Sequence, residues 1–198
     1  MAKIKFTKNE LKKQKDALKR FTRYLPTLIL KKQQLQMEIR KVQTLQHKKM
    51  REQDAIKQEI MKWVELFGEE VSLETLIMIG SVQTAPGNIA GVDIPLFNKI
   101  SFEEIAYDLF DLPLWVDTAV VKLKAMVALA VEIHILSEQI KLLGEELRIT
   151  SQRVNLFEKV KIPETKENIR IIQIYLGDEQ TAAVVRGKIA KSKIVRVA

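Results

Sequence analysis

From Leu11 the chain repeats an apolar position every seven residues. One seam position is filled by Leu11, Leu18, Leu25, Lys32, Ile39, Gln46, Gln53, Ile60 and Phe67, the other by Gln14, Phe21, Leu28, Leu35, Val42, Lys49, Ile56 and Trp63. Twelve of these seventeen positions are apolar. Strict sevenfold spacing predicts a long helix supercoiled left-handedly with a partner helix. Thr7-Lys8-Asn9-Glu10 has the form of a capping box, with Thr7 accepting from the N3 amide and Glu10 reaching back. Pro26 falls inside the repeat and predicts a kink rather than an end, because the register runs on through Leu28 and Leu35. The seam weakens at Gln46, Lys49 and Gln53, which predicts a loose or hydrated stretch.

The middle of the chain has a different period. Val71–Val82 is apolar and β-branched, Ala85-Pro86-Gly87-Asn88 carries a turn signal, and Ile89–Leu96 is a second short apolar run. Two such runs around a proline-glycine turn predict a β-hairpin. Ser101-Phe102-Glu103-Glu104 reads as a capping box opening a short helix to about Phe110, and Asp111-Leu112-Pro113 as the start of the next helix. Ile133, Leu136, Ile140, Leu143, Leu147, Val154 and Phe157 then form a second helical seam, preceded by the small residues Ala119, Ala125, Ala128 and Ala130. Pro163 interrupts it, the stripe resumes one position out of phase at Ile169, Ile172 and Leu176, and Gly177 is expected to end or loosen the helix.

These elements predict a mainly α fold, a long antiparallel two-helix coiled coil with a small middle head holding a β-hairpin and a short helix. The expected segments are an N-terminal helix (1–66), a hairpin and short-helix head (67–112), a C-terminal helix (113–176) and a basic tail (177–198) that is a further helix or orders on a partner. At 1.5 Å per residue, 8–66 would span about 90 Å, and 113–176 slightly more, so the two fold back into one rod. A two-stranded rod buries only a narrow seam, and partner contact is expected.

Charge sharpens this picture. Residues 1–66 hold 18 basic and 7 acidic side chains, 67–117 hold 1 and 9, and 118–198 hold 14 and 9, so two basic segments flank an acidic middle. Antiparallel pairing of the outer segments predicts a basic rod with an acidic head and different neighbours at its two ends. The absence of cysteine excludes disulfide scaffolds and thiolate metal sites, and suits a reducing cytoplasm. The opening MAKIKFTKNE lacks an apolar signal core and charges break every long apolar run, so neither a cleaved signal nor a membrane span is expected.

Three stretches resemble the D subunit of the V/A-type ATPases, the central-stalk rotor family. They are Thr7–Leu11 through Leu28–Leu35; Asn88-Ile89-Ala90-Gly91-Val92-Asp93-Ile94-Pro95; and Arg153-Val154-Asn155-Leu156-Phe157-Glu158 with Ile162-Pro163. Together, in order, they cover nearly the whole chain. Gln180–Val185 departs from the charged continuation of many relatives. The resemblance implies a rotor shaft whose paired helices enter a hexamer of catalytic A and B subunits. Such a shaft binds the small F subunit of the stalk and docks through the C subunit onto the proteolipid ring. It couples ATP chemistry to ion translocation from the cytoplasmic side, peripheral to the membrane, and its own contact with the membrane is indirect. Asn88, Ile89, Gly91, Val92, Pro95, Arg153 and Asn155 are then candidate partner-binding residues. Lys12 and Lys19 are candidates for transient contacts with acidic loops of the catalytic subunits.

No catalytic residue, metal site or cofactor is expected. There is no glycine-rich phosphate loop followed by Lys-Ser or Lys-Thr, so hydrolysis would belong to other subunits. His47 and His134 have no cysteine or carboxylate at ligand spacing and read as structural histidines. Glu69-Glu70 and Glu103-Glu104 read as solvated or partner-facing carboxylates rather than acid/base pairs. Trp63 and Trp115 read as core. Gly91 is read either as relieving a backbone constraint or as a docking contact. The competing functions are a helical-hairpin module gripping nucleic acid and a coiled-coil scaffold on a membrane surface. The first lacks aromatic platforms interleaved with arginine, so no nucleic acid is expected.

Overall fold

The computed structural model describes residues 5–62, 76–103, 105, 112–113 and 115–197. Helix α1 covers Lys8–Met61, strands β1 and β2 cover Ile79–Ile89 and Val92–Phe102, and helix α2 covers Trp115–Asn155. A π-helical segment, Leu156–Lys161, leads into helix α3, Ile162–Val197. The mainly helical fold with a central two-stranded hairpin is the one the periodicity predicts. The chain divides into two units, Met1–Lys32 with Ile149–Ala198, and Gln33–Arg148.

Helix α1 starts where the cap predicts. The Glu10 amide donates to Thr7 Oγ1 at 3.2 Å, satisfying one of the amides that a helix start leaves unpaired. The Glu10 carboxylate accepts from Gln14 Nε2 at 2.9 Å, so its described bond points along the helix rather than back to the cap. The helix passes through Pro26 without a break. Every seam position from Leu11 to Ile60 is buried or half-buried, including Lys32, Gln46, Lys49 and Gln53. Trp63 and Phe67 lie outside the described residues.

In the first unit the helices run antiparallel, as two ring contacts show. Phe6 stacks on Tyr175 with centroids 4.9 Å apart, and Phe21 meets Phe157 at 5.2 Å. Pro163 does not interrupt the C-terminal helix. It has no N–H, and its ring would collide with the carbonyl four residues back. The turn before it widens instead: Ile162 N–H donates to the Phe157 carbonyl, five residues behind, and both flanking residues keep right-handed helical angles. A π turn inserts one residue, and this is the phase slip visible in the sequence. Val154, Thr165 and Ile172 are buried on either side of it, Ile172 completely. Nor does Gly177 end the helix. The basic tail is helical to Val197, and its side chains from Gly177 through Val195 are exposed.

In the second unit, α1, α2 and the hairpin build one core. Leu35, Val42, Ile94, Leu136 and Leu143 are its buried members, with Ile39, Ile89, Ala90, Val92, Ile140 and Leu147 packed against them. A smaller cluster of Leu76, Val116 and Val120, with Ile77, Leu112 and Trp115, gathers at the hairpin base and the start of α2. Of the small residues ahead of the second seam, Ala119 is fully buried and Ala128 half-buried, while Ala125 and Ala130 are exposed.

The hairpin begins later than predicted, at Ile79 rather than Val71, runs on to Phe102, and turns elsewhere. Asn88 pairs with Asp93 and Ile89 with Val92, so the loop is Ala90-Gly91 and not Ala85–Asn88. Both loop residues have positive φ, 53° and 79°, as a two-residue type I′ hairpin requires. Asn88 braces it: its Oδ1 accepts from Gly91 N–H at 3.1 Å and its Nδ2 donates to Asp93 at 2.7 Å. The prolines misled the reading because Pro86 faces Pro95 within the ladder. The Pro95 carbonyl points out of the ladder, accepting from Gln139 Nε2, and the N–H of a strand residue points the same way, so the imino nitrogen forfeits no ladder bond. Ser101 and Phe102 belong to β2, and Ser101 Oγ lies 2.8 Å from Ser81 Oγ. Ser101 thus sits within a strand, and Glu104, the other half of the predicted capping box, lies outside the described residues. The short helix expected over 101–110 falls mostly outside the described residues.

Leu143 and Ile172 are both fully buried, one in each unit. Truncating either to alanine is expected to cost about 2–5 kcal/mol. Thermal unfolding followed by circular dichroism measures this, and each variant should melt clearly below the parent.

Candidate interaction surfaces

Two of the three polar residues in the α1 seam gap, and Glu59 beyond it, meet partners on α2. Gln46 Nε2 donates to Ser137 Oγ at 2.7 Å. Lys49 Nζ lies 3.1 Å from Glu132 and 3.5 Å from Glu52. Lys122 pairs with Glu59. As the α1 position climbs from 46 to 59, its partner falls from 137 to 122, which only an antiparallel pair allows. Hydrogen bonding to Glu132 is the main cause raising the Lys49 ammonium above its ordinary value, against a smaller desolvation effect. The Lys122 hydrogen bond holds the Glu59 carboxyl below the usual glutamate range. On α3 the Arg170 guanidinium, bonded to Glu167 at 2.6 and 2.9 Å, does the same to Glu167.

The candidate partner-binding residues fall into two groups. Asn88, Ile89, Gly91, Val92 and Pro95 come together at the hairpin tip, where all but Gly91 have a described intrachain role beyond the loop backbone. Ile89 and Val92 pack on the helix core, Asn88 closes the turn, and the Pro95 carbonyl accepts from Gln139 at 2.6 Å. Gly91 is exposed, and a Cβ there would meet nothing within 4 Å, yet its φ of +79° favours glycine. The backbone reading of Gly91 thus has direct support. Lys12, Lys19, Arg153 and Asn155 are exposed on their helices. Lys19 lines a shallow basic depression with Lys13, Arg20 and Arg23, beside Asp16.

Contrary to the expectation for His134, a carboxylate stands four residues on, on the same helix face: its Nε2 lies 3.8 Å from Glu138, with both side chains largely exposed. Among the described residues no three His, Cys, Asp or Glu side chains gather as a metal site. No helix among them is long and apolar enough to cross a membrane. Gln139 is the residue that sequence reasoning missed. It is 5% exposed, between the seam residues Leu136, Ile140 and Leu143, and only the fold reveals the carbonyl it serves. Its nearest sequence signal is an amide one position short of an apolar stripe.

A family model describing the D subunit of ATP synthase matches residues 10–192. The chain belongs to the ATP synthase D-subunit family. The V-type ATP synthase D subunit of Borreliella burgdorferi is 56% identical over 196 residues, covering 99% of this chain and 97% of that protein. Those of Chlamydia caviae and Chlamydia muridarum are 36% and 35% identical over 194 residues, covering 96% of this chain and 93% and 96% of theirs. The match reaches past Gln180–Val185, where the sequence departs from the charged pattern, so that departure does not separate the tail from the family.

A depressed carboxyl contributes stability that is complete above its unfolded pKa and lost as pH falls through the lower folded value. Glu59 therefore predicts weaker α1–α2 pairing as pH drops below about 4.5, the ordinary glutamate value. Glu59→Gln should flatten that part of the acid limb in a pH series of unfolding midpoints and leave neutral-to-alkaline behaviour intact. Lys49 acts on the opposite side. Its contribution is complete below the unfolded lysine pKa, 10.5, and is lost as pH rises through the higher folded value, so Lys49→Met should flatten the alkaline limb.

Proposed function

We propose that this chain is the central rotor-stalk subunit of a V-type ATP synthase, carrying torque between nucleotide chemistry in a catalytic head and ion translocation in a membrane ring. Family membership along almost the entire chain is the observation that carries this reading. The physical chemistry agrees with it. A shaft needs helices that grip each other along an uninterrupted seam, and it needs an outer surface that neighbours can slide over. The seam from Leu11 to Ile60 is sheltered throughout, while Lys12, Lys19 and Arg153 stand in solvent. Exposed ion pairs are individually weak, so such a surface makes contacts that can be broken and remade.

In this role the chain is non-catalytic and takes no cofactor of its own. Its partners are the catalytic A and B subunits, the small F subunit of the stalk, and the C subunit, which links it to the proteolipid ring. The complex places it on the cytoplasmic side, peripheral to the membrane. The basic helix ends enter the catalytic head, and the acidic middle faces the membrane-proximal partners. The exposed basic depression around Lys19 supports the first assignment, because it offers several cations to acidic loops on a surrounding ring.

Reversing charge at Lys12→Glu together with Lys19→Glu should reduce assembly or torque in a reconstituted complex, read as slower ATP-driven rotation under load. Rotation and assembly unchanged from the parent would remove these two lysines from the bearing. Purification of the tagged chain with its natural partners, followed by mass identification, should recover the A, B, F and C subunits. Recovery of RNA instead, lost steeply with added salt, would overturn the stalk reading.

A further inference from the structure

Three elements meet where the hairpin tip lies on the α1–α2 pair. Ile94, 3% exposed, shares a core with Leu35 and Val42 of α1 and Leu136 and Leu143 of α2. Beside it Gln139, 5% exposed, donates from α2 to the Pro95 carbonyl at 2.6 Å. This bond favours a fully seated tip, because a partial shift that admits no water would leave a buried amide without its acceptor, and an unpaired buried donor is costly. The hairpin has no third strand among the described elements, and most of β1 is exposed. Its described anchors are this tip, the small cluster at its base, and the Lys124 ammonium over the Phe102 ring. One turn beyond Val42 the seam changes to the polar contacts Gln46–Ser137 and Lys49–Glu132, which exchange readily with water and bury little apolar area.

We propose that the hairpin tip is a strap that sets how readily the α1–α2 pair opens locally, closing off the apolar stretch that adjoins the polar gap. Docked, it adds a third layer over a seam that a two-helix pair leaves open to solvent along its sides. Lifted, it exposes Leu35, Val42 and Leu143 and lets an opening that begins at Gln46–Gln53 spread along the helices. The strap is a conformational control of the isolated chain. It stands on the packing of Gln33–Arg148 alone, independent of the stalk assignment.

Hydrogen–deuterium exchange on the full chain tests it, with no other subunit present. Ile94→Asp ejects the tip, and Leu96→Asp is the control, because Leu96 is exposed on the same strand. Amides of 35–42 and 136–143 should exchange about tenfold faster or more in Ile94→Asp, as local opening free energies set these rates. Amides of 53–60 should keep parental rates, and the Leu96→Asp chain should match the parent in all three segments. Unchanged rates at 35–42 and 136–143, or equal acceleration in all three segments, would overturn the proposal. Should Ile94→Asp fail to fold, Gln139→Ala, which removes the bond to Pro95, carries the same comparison with an expected rise of about threefold.

Discussion

The structure depends on keeping narrow apolar stripes in contact although the α-helix does not repeat in seven residues. An ideal helix drifts about 20° per heptad, so a stripe written in sevens stays on its partner only by supercoiling. Helix α1 keeps every seam position from Leu11 to Ile60 buried or half-buried. The C-terminal helical run meets the constraint in another way. Its stripe slips by one residue near Pro163, and the π turn at Leu156–Lys161 absorbs the slip, so that Thr165 and Ile172 are buried as Val154 is. A proline that breaks an ordinary helix here marks the place where the helix is rephased.

The same seam carries a section that is not apolar. Gln46, Lys49 and Gln53 would weaken a hydrophobic pair, but Ser137 and Glu132 give two of them specific partners. Polar groups inside a seam cost stability and restrict register, because a slip of one turn would separate Lys49 from Glu132 and Gln46 from Ser137. The adjoining apolar section has the hairpin tip over it, with Ile94 and the Gln139–Pro95 bond holding it down. Specific polar pairing and a third apolar layer thus succeed one another along a single helix pair.

Much of this was legible in the residues, for physical reasons that differ by element. The long helices declare themselves because sevenfold spacing leaves few alternatives, and Thr7 caps α1 as its side chain allows. The hairpin was visible but its turn was misplaced. Pro86-Gly87 is a strong local turn signal, yet an outward-facing proline pair is compatible with a ladder, and the real loop uses Ala90, whose positive φ no side chain advertises. The helix-ending signal of Pro163 is met by the widened turn before it, and Gly177 lies inside α3, where a lone glycine lowers helix propensity without removing a backbone hydrogen bond. Of the candidate site, Ile89 and Val92 pack against the helix core within the chain, a role that their place beside the loop does not reveal. Gln139 went unnoticed, since a buried amide is recognisable only once the carbonyl it serves is known.

Family membership carries the functional reading, and the antiparallel seam is the physical feature that reading requires. The most direct measurement of the seam itself uses the absence of native cysteine. With Gln46→Cys and Ser137→Cys introduced together, where the native side chains meet at 2.7 Å, mild oxidation should give a disulfide within one chain. It should form at high dilution and leave a monomer on non-reducing gels. Failure to form it, or a product linking Gln46→Cys of one chain to Gln46→Cys of another, would contradict antiparallel pairing and the stalk built upon it.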